Sequence, residues 1–292
     1  MSTYQRDLST EQIRLIGLRL AEDRLPRVNR IQKRVKPANS LYGTYGKRIL
    51  DIVIALIALI LTLPINAIMA IVTFFDVGSP VFFKQERVGR NANTFTIVKF
   101  RNMRNEYDPR GDLLPAELRV TKWGKFVRKT SLDELLNFWS ILKGDMSLIG
   151  PRPLPAVYLD RYSERHRARL AVKPGLECPP REPPNQVWTW NDQLENDVWY
   201  VENVSFKTDC RMLANLVRFA LDSESADARA VASRGSFMGY SMDGIAINDA
   251  QIPQSYVDWV KKTHGNAAST GDDSSIILDS MVFEEGIPCA TD

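Results

Sequence analysis

Histidine and cysteine are scarce in this 292-residue chain, which has two histidines, His166 and His264, and three cysteines, Cys178, Cys210 and Cys289. The cysteines lie far apart with no CxxC pair, which argues against a zinc site and a disulfide framework and fits a reducing compartment. With two histidines, His-rich metal sites and Ser-His or Cys-His nucleophile systems are poorly supplied. Acid, base or metal chemistry is therefore expected to rest on carboxylates. A second long apolar run is also lacking, so a polytopic membrane protein is excluded. Charged residues at 25% and hydrophobics at 44% exclude wholesale disorder and collagen. At roughly 150 residues per domain, the length suits one large domain or two small ones.

What is present is unevenly placed. The formal net charge is +3, but residues 221–292 hold 12 acids against 4 bases, leaving +11 on residues 1–220. The apolar run is Ile49–Phe75, 27 residues, enough as a helix to span a bilayer core of about 30 Å. It lies too deep in the chain for a secretory signal. Pro64 falls just past its middle and is expected to kink a helix there. Arg24, Arg27, Arg30, Lys33, Arg34, Lys36, Lys47 and Arg48 precede the run without one acid between them. Lys84, Arg87, Arg90, Lys99, Arg101 and Arg104 follow it, against Asp76 and Glu86. Positive flanks favour the cytoplasm, and both flanks qualify. A helix broken at Pro64, with both ends on one face, reconciles them; a straight helix tolerating its proline is the alternative. Ahead of the run, Ser9 and Gln12 suit a capping pair, and Ile13, Ile16 and Leu20 recur at helical spacing. That helix could lie on anionic lipid or pack on protein.

In the soluble body, residues 80–88 and 94–103 are β-branched and aromatic runs separated by Gly-Arg-Asn-Ala-Asn, a hairpin signal. Asp108–Asp112 reads as a turn. Residues 119–153 are the most informative. Ser131-Leu132-Asp133-Glu134 is expected to open an amphipathic helix with Leu132, Leu135, Leu136, Trp139 and Leu142 on one face and Gly144 as its stop. Ser131 and Glu134 have capping-box spacing, and acids suit a first turn for electrostatic reasons alone. Their setting adds a chemical reading: Lys122, Lys125, Arg128 and Lys129 precede them, and Arg152 follows in a Gly-Pro-Arg-Pro turn. Adjacent carboxylates among cations, behind a membrane anchor, suit Mg²⁺-assisted chemistry on a phosphate ester, with a carboxylate able to attack phosphorus.

The stretches KRILDIVIALI, PVFFKQERVGR, FTIVKFRNM, GKFVRKTSLDELLNFWSILKGDMSLIGPRP, VKPG and YVENVSFKTD resemble those of bacterial sugar transferases, over roughly residues 45–222. These are the monotopic phosphoglycosyl transferases that initiate exopolysaccharide, O-antigen or glycoprotein glycan synthesis. The resemblance implies an α/β, mostly α, monotopic membrane protein. Its parts would be a re-entrant, Pro-broken membrane helix, interfacial amphipathic helices and a small β-hairpin in a compact cytosolic catalytic domain. It implies transfer of a sugar-1-phosphate from a UDP-sugar to undecaprenyl phosphate, with release of UMP, by a ping-pong route. Asp133 matches the nucleophile and Glu134 its dyad partner, with Mg²⁺ held at least partly by both. Arg128 and Arg152 match basic positions expected to contact phosphate or nucleotide. Lys84 and Arg87 match a basic hairpin motif at the membrane face, and Pro64 the proline that breaks the membrane helix. Membrane lipids are implied as partners and nucleic acid is not, a homodimer is left open, and the expected location is the cytoplasmic face of the bacterial inner membrane.

The expected organisation is a basic amphipathic segment (1–40), the re-entrant helix (41–76), the catalytic domain (77–222) and a flexible acidic extension (223–292) with short structured pieces such as Tyr256–Val260. The chain departs from the family pattern at Leu136, where proline is usual, and at Asn137 and Ser140. After VKPG, Leu176-Glu177-Cys178-Pro179-Pro180 replaces a Thr-Gly stretch leading to Gln186-Val187. These departures put substrate choice in question, and a non-catalytic paralogue acting as a binding or scaffold partner is the alternative. His166 reads as a solvated helix residue.

Overall fold

Ser9 caps the first helix as its spacing suggests. Its hydroxyl accepts from the Gln12 amide at 3.2 Å while the Gln12 side chain accepts from the Ser9 amide at 2.8 Å. The helix, α1, runs Thr10–Ile31. The computed structural model describes residues 8–107, 114, 116–181, 188–221 and 235–265. The turn expected at Asp108–Asp112, the Gln186-Val187 pair and Cys289 lie outside them. The described residues are mostly helical, with three two-stranded sheets and one long apolar helix.

That apolar helix, α2, spans Lys47–Val77 and follows a π-helical turn at Tyr42–Gly46. It keeps its helical assignment through Pro64, so the proline does not end the element. Around it the helix is polar within: Thr62 Oγ1 donates to the Ala58 carbonyl at 2.7 Å, and Asn66 Nδ2 reaches Thr62 Oγ1 at 3.4 Å. Asp51, Ala55, Met69 and Thr73 form a buried stripe at helical spacing, while Ile60, Leu61, Leu63, Ile68, Ile71 and Phe75 are exposed. An apolar surface of this size suits a hydrocarbon surround.

Both ends of α2 are fastened to the same body. At the start, Lys47 pairs with Asp209 at 2.5 Å, and Asp209 also accepts from Tyr42 and Tyr200, each at 2.6 Å. Arg48 donates to the Ile141 and Leu142 carbonyls at 2.6 and 2.7 Å. Asp51 accepts from the Ser147 hydroxyl and the Leu148 amide at 3.0 and 2.9 Å. At the far end Asp76 accepts from the Thr121 hydroxyl, and Arg104 donates to its carbonyl at 3.1 Å. Met69 packs with Phe100 and Val127, Ala55 with Ile97, Ile141 and Met146.

The hairpin is where the sequence placed it, β1 (Phe82–Val88) pairing antiparallel with β2 (Thr94–Phe100) around residues 89–93. After the short α3 (Ala116–Arg119) come α4 (Lys122–Thr130), a 3₁₀ turn Leu132–Leu136 and α5 (Asn137–Lys143). Gly144 stops α5 in the left-handed region, φ 100°, its amide returning to the Ile141 and Ser140 carbonyls. β3 (Ser147–Ile149) and β4 (Gly175–Glu177) then pair in parallel. Their approach leaves no room at Gly175, where a Cβ would lie 2.1 Å from the Gly150 nitrogen. Between these strands lies α6 (Glu164–Arg167), and after them α7 (Trp190–Glu202) and α8 (Phe206–Leu221).

The two terminal segments differ from the sequence reading in an informative way. Residues 235–265, expected to belong to a flexible extension, fold as a hairpin of β5 (Phe237–Tyr240) and β6 (Ala246–Asn248) and a helix α9 (Gln254–Thr263). Their apolar partner is α1: Ile16 and Leu20 are buried with Met238, Ile247 and Val260. Of the two roles open to α1, packing on protein is the one observed. The α1 cap and spacing and the Tyr256–Val260 piece were readable locally, but neither terminal segment has a sufficient core alone, so their pairing was not. The hairpin also joins the body, because Phe237 and Tyr240 pack with Tyr158, Tyr162, Trp190 and Leu194. There His166 is fully buried rather than solvated, with Nδ1 2.8 Å from the Tyr240 hydroxyl and Nε2 2.9 Å from Glu195.

Candidate active site

The site is built where α4 gives way to α5. Ser131 takes a left-handed conformation, φ 54°, and closes α4 by returning its amide to the Arg128 carbonyl at 3.2 Å. An N-cap needs extended backbone to aim its hydroxyl at the next turn, so the capping box expected of Ser131 and Glu134 does not form. Only the backbone bond from the Glu134 amide to the Ser131 carbonyl, 3.1 Å, remains. The tighter 3₁₀ turn also breaks the expected single apolar face. Leu132 and Leu136 pack toward Phe100 and Val127, whereas Trp139 is 56% exposed.

Released from capping, the Glu134 carboxylate meets cations. Its Oε1 lies 2.6 Å from Arg152 Nη2 and 3.3 Å from Lys99 Nζ. Asp133 beside it is only 8% exposed. Burial raises its carboxyl above the ordinary range; Lys99 opposes that shift, Glu134 adds to it, and Arg128 opposes it. Burial thus works against the ionised form that a nucleophilic carboxylate needs, and the neighbouring cations work for it.

The cations come from separate elements. Lys99 is on β2, and Arg128, on α4, donates to Asn102 Oδ1 at 2.8 Å. Arg152 follows β3, its carbonyl held by Arg169 Nη2 at 2.7 Å. Arg169 is itself buried and paired with Asp197, 2.8 Å away. Ile97, Lys99, Glu134, Asn137, Met146, Arg152, Pro153 and Leu176 line the adjoining cleft. Asn137 is buried there with its Oδ1 lacking a hydrogen-bond partner among the described residues.

Asp133, Glu134, Arg128 and Arg152 thus share one neighbourhood. Lys84 and Arg87 do not behave as a pair: on alternating strand positions Lys84 is exposed while Arg87 is fully buried and bonds Gln85. Pro64 lies in α2, outside the cleft. Lys99, Arg169 and Glu177 escape a motif reading. Lys99 is visible in the sequence only as one more flanking charge, and Glu177 only as a departure from pattern. Among the described residues no group of three or more His, Cys, Asp or Glu could hold a metal. A site of two carboxylates still fits Mg²⁺, which takes one or two carboxylates together with substrate phosphates.

With this geometry in place, comparison with known proteins is specific. The bacterial sugar transferase family matches residues 42–223. A protein of Bacillus subtilis described as an uncharacterized sugar transferase, EpsL, is 44% identical over 178 residues, 61% of this chain and 88% of its own length. The galactosyl transferase CpsE of Streptococcus agalactiae is 35% identical over 60% of this chain and 42% of its own. A UDP-N-acetylgalactosamine-undecaprenyl-phosphate N-acetylgalactosaminephosphotransferase of Aeromonas hydrophila is 33% identical over 60% of this chain. The match spans less than half of these last two relatives, 42% and 43% of their lengths.

Proposed function

The chain belongs to the bacterial sugar transferase family, and we propose that it transfers a sugar-1-phosphate from a UDP-sugar to undecaprenyl phosphate in two displacement steps. The observation that carries this reading is the buried Asp133 under the charges of Lys99 and Arg128, adjacent to Glu134, which Arg152 and Lys99 hold. In the first step an Asp133 oxygen attacks the β-phosphorus of the donor. The bond from that phosphorus to the bridging oxygen breaks, and UMP leaves with the electron pair. In the second, a phosphate oxygen of the polyprenyl carrier attacks the same phosphorus, forming the lipid diphosphate sugar and restoring the Asp133 carboxylate. Glu134, oriented by Arg152 and Lys99, assists the incoming phosphate in that second step. Arg128 and Arg152 bind the donor's phosphate oxygens, for which a guanidinium offers paired donors. Asp133 and Glu134 would hold Mg²⁺, whose charge offsets that of the diphosphate.

The acceptor is a lipid, and the form of α2 suits it. Both ends of that helix contact one body, which supports a helix that enters and leaves the bilayer on the same side, with Pro64 and its polar neighbours at the turn. The basic flanks favour the cytoplasm for that side. Cys178 is sealed in the core, so the exposed Cys210 is the reporter for this assignment. We expect Cys210 to resist a membrane-impermeant maleimide in intact cells and react after lysis; labelling from outside would reverse the orientation.

Activity is tested with purified protein, Mg²⁺, undecaprenyl phosphate and a panel of UDP-sugars. Release of UMP from at least one donor is expected. Failure with every donor would leave the scaffold reading.

A further inference from the structure

Among the described residues Arg152 serves two carboxylates, and only one belongs to the dyad. While Nη2 lies on Glu134, Nη1 lies 3.4 Å from Glu177 Oε2. Glu177 is not a loose surface acid. Its backbone closes the parallel β3–β4 pair opposite Ile149, and its carbonyl accepts from the Gly150 amide at 3.1 Å. Its other carboxylate oxygen accepts from the Cys178 amide at 3.1 Å. The next residue is anchored too, since Cys178 is buried and its carbonyl accepts from Asn196 at 3.4 Å. The 41% exposed Glu177 side chain therefore holds a fixed negative charge against a 25% exposed Arg152.

A diphosphate that uses Arg152 must take an arm from Glu177 and sit near its charge. We propose that Glu177 sets donor affinity, holding one arm of Arg152 and weakening the site's grip on nucleoside diphosphates. The inference rests on the donor reading above, in which Arg152 binds phosphate. It also gives a physical role to one residue of the stretch after VKPG in which the chain departs from the family pattern.

The charge-neutral, isosteric Glu177→Gln tests it, with Glu177→Asp as the charge-preserving control. The probe is UDP with Mg²⁺, its Kd measured by calorimetry on the full-length protein in detergent. Removing one nearby charge at a partly solvated site is expected to tighten UDP binding about fivefold. The gain should shrink as salt rises toward molar concentrations, where screening acts within about 3 Å. Glu177→Asp should stay close to wild type, and KM for the sugar donor should fall in Glu177→Gln. A residue that merely held the loop together would give weaker binding instead. Unchanged or weaker UDP binding in Glu177→Gln, with wild-type protein that binds UDP and releases UMP, would overturn this inference and leave the transferase reading intact. Wild-type protein that neither binds UDP nor releases UMP would overturn both.

Discussion

Asp133→Asn is expected to lower turnover by about 10³-fold or more, the scale on which removal of a nucleophile is felt. The amide is nearly isosteric, yet its oxygen is a poor nucleophile toward phosphorus and cannot form the acyl phosphate. The variant should fold as well as wild type, for a reason specific to the site. Burial disfavours the charged form of Asp133, with Lys99 and Arg128 offsetting only part of that cost. A neutral amide avoids the penalty, so its melting temperature should be no lower than that of wild type. Stability retained with turnover lost would separate chemistry from scaffold. Unchanged UMP release would exclude Asp133 as the nucleophile.

The second large effect concerns Arg169, which touches no substrate in this account. Its guanidinium pairs with Asp197, bonds the Tyr162 hydroxyl at 3.2 Å and holds the Arg152 carbonyl. Both charges of the pair are almost wholly buried. Arg169→Met strands the Asp197 charge and should cost about 3–5 kcal/mol of stability, read from denaturant unfolding. The double variant Arg169→Met/Asp197→Leu removes the stranded charge and should regain most of that loss. It does not restore the bond to Arg152, so the account expects its donor KM to remain raised. A double variant with wild-type KM would mean that Arg152 is positioned without Arg169.

Those two residues show how far the sequence could be read. Features set by neighbours along the chain were legible: the Ser9 cap, the β1–β2 hairpin, the apolar helix around Pro64 and the Gly144 stop all depend on spacings within one element. The Asp133-Glu134 pair was visible with Arg128 and Arg152 as a local cluster, though Lys99 was not part of it. Ser131 shows the limit even at short range, because one left-handed residue turned a capping box into a helix terminus and set Glu134 on Arg152. What the sequence concealed was long-range pairing. His166 meets Tyr240 from 74 positions away, and Asp197 stands 28 from Arg169. No periodicity reports such partners. Beyond the Tyr256–Val260 piece, the acidic C-terminal segment concealed its β5–β6 hairpin, because the apolar face it needs is supplied by α1, from the opposite end of the chain.

The central claim is a covalent intermediate on Asp133, and the most direct measurement omits the acceptor. Protein incubated with Mg²⁺ and a UDP-sugar that supports turnover, but no polyprenyl phosphate, is read by intact-protein and peptide mass spectrometry. The account predicts one equivalent of UMP and a gain of one sugar phosphate on the peptide carrying Asp133, discharged when undecaprenyl phosphate is added. A donor that turns over with acceptor, yet releases no UMP and leaves no adduct without it, would contradict the two-step mechanism in favour of direct transfer.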